Sequence, residues 1–320
     1  MGELELLLFA SIFSIMAGAA AFVLGDTSPE EGDDDTPQDA PLSEPSDTDA
    51  PSGLDILTGT ADDDILAGSD RSEVIAGGVG NDQINGYAGD DTIFGGAGED
   101  YLFGAAGQDA LFGGAGADFL HGEDGHDTLS GGTEADTLFG HLGDDLLDGG
   151  GQNDSLHGGM GNDTLLGGRG EDALHGGHDN DTLDGGIGFD TLFGGTGADL
   201  LYGLTPDDIA QDIDYLNGGE GADTLIGGAG DILSGGSGAD SFQIGETDGD
   251  SLTVMDFDND QDQLALIFDD TEPTPEITVL ADESETDTSR VFVNGVEVAV
   301  VHGAIGLSPQ DIALVPQRAT

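Results

Sequence analysis

Along most of this chain a single apolar residue returns every ninth position. From Gly59 to Tyr202 the sequence divides without a gap into sixteen nine-residue blocks, among them GGVGNDQIN (Gly77 to Asn85), GGAGEDYLF (Gly95 to Phe103), GGMGNDTLL (Gly158 to Leu166) and GGIGFDTLF (Gly185 to Phe193). Position 8 is Leu or Ile in every block, position 1 is Gly in every block, and position 6 is Asp in all but one, where Glu73 stands. Positions 7 to 9 predict a minimal three-residue strand with one inward side chain. One apolar residue in nine is a thin core, and it works only if many copies stack at the ~4.8 Å spacing of neighbouring strands. The pattern therefore predicts a solenoid.

The period loosens after Tyr202. Gly203 to Asn217 is a lengthened unit containing Thr205-Pro206-Asp207-Asp208, Gly218 to Ile226 is regular, Gly227 to Ser234 is one residue short, and Gly235 to Gln243 closes the array. Beyond it the glycines thin out, and SLTVMDF, QLALIF, EITVL and RVFVNGVEVAVV read as strands. Asn294-Gly295 between apolar runs predicts a type I′ hairpin. Ser308-Pro309 predicts the start of a short final helical turn.

Two segments precede the repeats. Leu6 to Leu24 is uncharged and close to the ~20 residues that span a bilayer. Glu3 and Glu5 stand ahead of it with no basic residue, which is atypical for a secretory signal, while Ala17-Gly18-Ala19-Ala20-Ala21 offers a small-residue cleavage site. An uncleaved anchor helix, a cleaved signal and a buried helix are the three readings. Asp26 to Ser52 is rich in Asp, Glu, Pro, Ser and Thr and reads as a disordered linker. The expected organisation is a hydrophobic segment at 1–25, an acidic linker at 26–52, the repeat array at 53–243 and a β-rich capping region at 244–320.

Charge narrows the partners. With 4 Lys plus Arg against 67 Asp plus Glu, the formal charge is −63, which excludes nucleic acid and anionic lipid surfaces and favours cations. Such a composition on its own reads as a disordered polymer, and only the order of the residues argues otherwise. There is no cysteine, so neither disulfides nor thiolate metal sites are available.

The repeat supplies chemistry for a hard cation. Glycines at positions 1, 2 and 4 leave carbonyl oxygens uncovered, and Asp at position 6 adds an anionic oxygen on a short side chain. Carbonyl and carboxylate oxygens together suit Ca²⁺, which takes 6–8 of them at ~2.3–2.6 Å. Stacking also piles up the aspartates. Two unit charges ~4.8 Å apart repel by ~0.9 kcal/mol in water and ~3.5 kcal/mol at an effective dielectric of 20. Summed over the array, that repulsion exceeds a typical domain stability of ~5–15 kcal/mol. Folding and cation binding are expected to be one coupled event.

The motif G-G-x-G-x-D-x-U-x resembles the nonapeptide of the RTX family, the hemolysin-type calcium-binding repeats, over residues 59 to 243. SLTVMDFDNDQDQLAL is similar to the sequence that follows such arrays. The resemblance implies an all-β, right-handed parallel β-roll with two nonapeptides per turn and calcium between successive loops on each edge. Carried over, the metal ligands are Asp64, Asp82, Asp91, Asp100, Asp109, Asp118, Asp127, Asp136, Asp145, Asp154, Asp163, Asp172, Asp181, Asp190, Asp199, Asp223 and Asp240. The block holding Arg71 and Glu73 departs from the pattern. So do the loops with Asp62, Arg71, Glu134, Gln152 or Asp179 at position 4, and the insertion after Gly203 is expected to interrupt one calcium column.

If two blocks make a turn, residues 18 apart stack. One outer face then carries Phe103, His121, Phe139, His157, His175 and Phe193, and the other Phe94, Phe112, Ser130, Asp148, Leu166, Asp184 and Tyr202. The first face reads as side-chain stacking, with a docking surface or a transition-metal ladder as the functional alternatives. Asp256 to Asp262 resembles the start of an EF-hand loop, but Gln261 and Ile267 occupy its sixth and twelfth positions, so it reads as an acidic turn. No HExxH, GxSxG or GxxxxGK[ST] motif is present, and the chain is expected not to be an enzyme. The leading expectation is a calcium-binding protein, exported to the cell surface or released and folded by external calcium. An adhesion or matrix module built on the same roll is the alternative.

Overall fold

The computed structural model describes residues 55–204, 213–245, 250–269 and 273–317. The hydrophobic segment 1–25 and the linker 26–52 lie outside the described residues. The described residues form an all-β parallel solenoid of about 11 turns with no helix among them.

Most strands of the array are longer than the three residues expected, though Ile65–Ala67 and Leu200–Tyr202 are not. The typical strand begins at position 7 and runs through position 3 of the next block, as in Tyr101–Ala106, Phe119–Asp124 and Thr137–Leu142. The extension is possible because position 1 is Gly. Alternation turns positions 8 and 1 inward, and only a residue without a side chain fits the second of these inward places. Successive strands alternate between two sheets, of 13 and 14 strands, as far as Ile277–Ala281, after which Thr288–Val293 and Val296–His302 stay in the larger sheet. Within a sheet the register is one turn: Thr137 faces Ser155, Leu138 faces Leu156 and Phe139 faces His157.

The core is a continuous ladder. Every position-8 residue from Ile75 through Leu201 has no solvent exposure, and Leu216, Leu225 and Leu233 continue the series. Each buried Leu or Ile contributes ~1.5–3 kcal/mol by leaving water. No single turn holds enough apolar area to stand alone, so stability accrues through neighbours.

The residues after the array extend the same two sheets. Leu252–Val254 pairs in parallel with Ile232–Gly238, Gln263–Asp269 with Ser241–Ile244, and Ile312–Gln317 with Gln263–Asp269. Thr288–Val293 and Val296–His302 form the expected antiparallel hairpin, with φ of 50° at Asn294 and 84° at Gly295. Both positive values fit a type I′ turn. The helical turn expected at Ser308-Pro309 does not form. The Asp311 carboxylate accepts the Ser308 N–H at 2.9 Å and its hydroxyl at 2.6 Å, closing a turn, and the apolar run after it is a strand.

Candidate metal centre

The turns between strands carry the aspartates, and the strand register stacks them into two ladders. The N–H of each aspartate donates to Oδ1 of the aspartate one turn further on, at 2.7–3.0 Å. The first ladder runs Asp64, Asp82, Asp100, Asp118, Asp136, Asp154, Asp172, Asp190, Asp214, Asp231. The second runs Glu73, Asp91, Asp109, Asp127, Asp145, Asp163, Asp181, Asp199, Asp223, Asp240, Asp262. All seventeen aspartates singled out from the sequence lie on these ladders, buried except for the half-buried Asp64.

Four members were missed. Glu73 is buried in the block set aside for its Arg71. Its N–H donates to Asp91 and its carboxylate accepts the Ser69 N–H at 2.9 Å, while Arg71 points out to Asp55. Asp214 and Asp231 carry the first ladder past the insertion, which therefore does not break the line of aspartates. Asp262, in the acidic turn, ends the second ladder by accepting the Asp240 N–H. One signal finds all four: an acid two residues before a buried Leu or Ile, as in Glu73–Ile75, Asp214–Leu216, Asp231–Leu233 and Asp262–Leu264.

The two oxygens of each rung differ. Oδ1 is held by the neighbouring N–H. Oδ2 of the ladder aspartates from Asp82 to Asp181, and of Asp199 and Asp223, is buried without a hydrogen-bond partner. A native interior satisfies nearly all such atoms, so this series signals a missing partner. Carbonyl oxygens stand beside these carboxylates. A Cβ placed on Gly95 would lie 2.4 Å from Oδ2 of Asp100 and 2.8 Å from the Gly113 carbonyl oxygen. The donors are all oxygens, many are anionic, and they recur every turn. This set fits Ca²⁺.

Electrostatics agree. Burial pushes Asp181 up to about 8, against the lowering pull of the Asp163 N–H and with added repulsion from Asp163 and Asp199. Asp118 and Asp154 rise to about 7 and Asp145 and Asp163 to about 6, burial again being the largest cause. Without a cation, these carboxyls hold protons above the ordinary carboxylate range.

Of the five irregular position-4 residues, Glu134, Gln152 and Asp179 adopt φ of 80°, 76° and 71°, keeping the glycine-like turn despite their side chains. Asp62 and Arg71, in the first two blocks, do not take positive φ. The outer faces form as expected. On one, Phe103, His121, Phe139, His157, His175 and Phe193 stack with ring centroids 4.8–5.3 Å apart. On the other, Phe94 and Phe112 stack at 5.1 Å.

The family model of the RTX calcium-binding nonapeptide repeat matches this chain in eight segments that together span residues 52 to 242. No curated protein matches the chain.

Proposed function

The chain belongs to the RTX calcium-binding nonapeptide repeat family, and from that premise we propose that the two ladders bind Ca²⁺ and that binding drives folding of the roll. The observation that carries this reading is the row of buried Oδ2 atoms without partners. The ladder aspartates would supply carboxylate oxygens and the glycine loops their carbonyls. The cation would supply the positive charge that the chain, with its 4 Lys plus Arg, cannot. Weak sites of ~10⁻⁴–10⁻³ M suffice at the millimolar calcium found outside cells. On this reading the chain is a non-enzymatic protein, exported or held at the surface through residues 6–24, unfolded until it meets external calcium. Residues 244–317, whose strands prolong both sheets, close the end of the stack.

Far-ultraviolet circular dichroism, first in chelator and then through a calcium titration, tests the proposal. The expected result is weak order without calcium and a cooperative gain of β signal with it. The same β signal in both states would overturn it. A second reading, an adhesion or matrix module, draws on the aromatic and histidine-lined outer face, a ladder of mostly half-buried rings on a rigid support. Binding to a cell surface, lost when that face is charged by substitution, would favour it.

A further inference from the structure

The outer face breaks the repeat's rules at one place. At position 2 of the sheet carrying the histidines, Gly159, Gly177 and Gly195 occupy the later turns, but Tyr87, Ala105, Glu123 and His141 occupy the earlier ones. All four hold φ between 76° and 80°, a conformation that residues with a side chain rarely adopt. Two of the four carry side chains able to bind a metal. Glu123 and His141 are direct neighbours in the register, and His121 lies two residues before Glu123 on the same strand face.

The three converge. Nδ1 of His121 is 2.7 Å from Nε2 of His141 and 3.7 Å from Oε1 of Glu123, and one donor atom from each lies within 4.8 Å of the others. Ligands of a tetrahedral Zn²⁺ at ~2.0–2.1 Å stand about 3.3 Å apart, and the two separations bracket that value. The rings are held from several sides. His141 stacks on His121 at 4.9 Å and on Phe139 at 5.7 Å, and Phe103 and Phe119 lie 5.3 and 4.7 Å from His121. The His121 side chain is 15% exposed and that of Glu123 47%, so the group opens to solvent on the carboxylate side.

We propose that His121, Glu123 and His141 form a second metal site, for Zn²⁺ or a similar borderline transition ion. It is chemically distinct from the aspartate ladders and keeps a coordination position open to water or a partner's ligand. Two imidazole nitrogens and one carboxylate select such an ion, whereas the all-oxygen ladders select calcium.

The test uses the full chain in excess Ca²⁺, which occupies carboxylates elsewhere, with Co²⁺ as the spectroscopic probe. The expected result is one equivalent of Co²⁺ giving the intense visible absorption of a four-coordinate, nitrogen-containing site, bleached by one equivalent of Zn²⁺. H141G and H121A should both abolish the band. H141G installs the residue the repeat itself uses in this column, so its circular dichroism should match that of the parent chain. Only the weak absorption of six-coordinate Co²⁺, or a strong band that survives both substitutions, overturns the proposal. Circular dichroism on the same samples reports the calcium response separately, so failure of one reading is distinguishable from failure of the other.

Discussion

The N–H of Asp145 donates to Oδ1 of Asp163, 18 residues along the chain, at 2.9 Å, while Oδ2 of the same Asp163 is buried without a hydrogen-bond partner. One side chain thus has two separable roles. Oδ1 ties successive turns together whatever its charge. Oδ2 holds a negative charge that only a proton or a cation can offset.

The two roles predict opposite responses to D163N. The amide keeps an oxygen for the Asp145 N–H but removes the buried charge. In chelator the variant should be more ordered than the parent, because repulsion along the ladder falls. In calcium it should need more calcium to fold, because one anionic donor is gone. D163A should be destabilised in both conditions, by ~1–3 kcal/mol for the orphaned N–H. Calcium titrations followed by circular dichroism, with and without chelator, give the signs. If D163N lost order in chelator, the ladder would not be under charge strain.

Acid should substitute for calcium. Asp181 is raised to about 8, Asp118 and Asp154 to about 7, and Asp145 and Asp163 to about 6, whereas unfolded Asp titrates near ~3.9. Between these values the folded state binds more protons than the unfolded one, so unfolding free energy falls as pH rises. The contribution is fully present below about pH 4 and is lost as pH climbs through the range from about 6 to about 8. Calcium-stripped protein should therefore gain β structure on acidification from pH 8 toward pH 4. Because protons and calcium both bind the folded ladder and not the unfolded chain in this range, the calcium concentration at the folding midpoint should fall between pH 8 and pH 6. A calcium midpoint independent of pH in that interval would contradict both statements.

Much of this was legible in the sequence because the period is rigid. Leu138, Leu156 and Leu174 fall on one line once two blocks make a turn, and so do Phe139, His157 and His175. What escaped was wherever spacing changed while geometry did not. Asp214 and Asp231 sit 24 and 17 residues after their predecessors, so counting in nines passes over them, yet the chain realigns because Leu216 and Leu233 must enter the core. Glu73 was discounted as a departure, but burial beside Ser69 lets the longer acid take the same rung. The His121, Glu123 and His141 group escaped for another reason. Glu123 and His141 stand at position 2, which most blocks fill with glycine, and the period alone does not say what a side chain there faces.

The glycines divide into essential and incidental ones. A Cβ on Gly158 would stand 2.3 Å from Oδ2 of Asp163 and 2.7 Å from the Gly176 carbonyl oxygen. The second contact is backbone and cannot move without opening the stack. At Gly151 nothing lies within 4 Å and φ is not positive. G158A should cost at least the ~1–3 kcal/mol of an overpacked interior and displace the ladder at Asp163. G151A should lie within ~0.5 kcal/mol of the parent. Equilibrium unfolding in calcium separates them, and equal effects would mean that glycine serves the loops only through backbone freedom.

The insertion after Leu204 supplies the sharpest test of continuity. Asp190 donates to Asp214 at 2.8 Å, and Asp214 donates to Asp231 at 2.9 Å, so the first ladder crosses the insertion with the bond lengths of any other rung. In a stack where each turn is stabilised by its neighbours, cooperativity extends as far as the interfaces remain intact. The parent roll should therefore fold in one calcium transition that includes residues on both sides, such as Leu183 and Leu225, which are both fully buried. D214A removes the acceptor for the Asp190 N–H and the rung between the two halves. It should split that transition in two, with the half after the insertion requiring more calcium. Hydrogen exchange at successive calcium concentrations reads the halves separately. A split already present in the parent chain, unchanged by D214A, would show that the ladder's geometry crosses the insertion but its energetics do not.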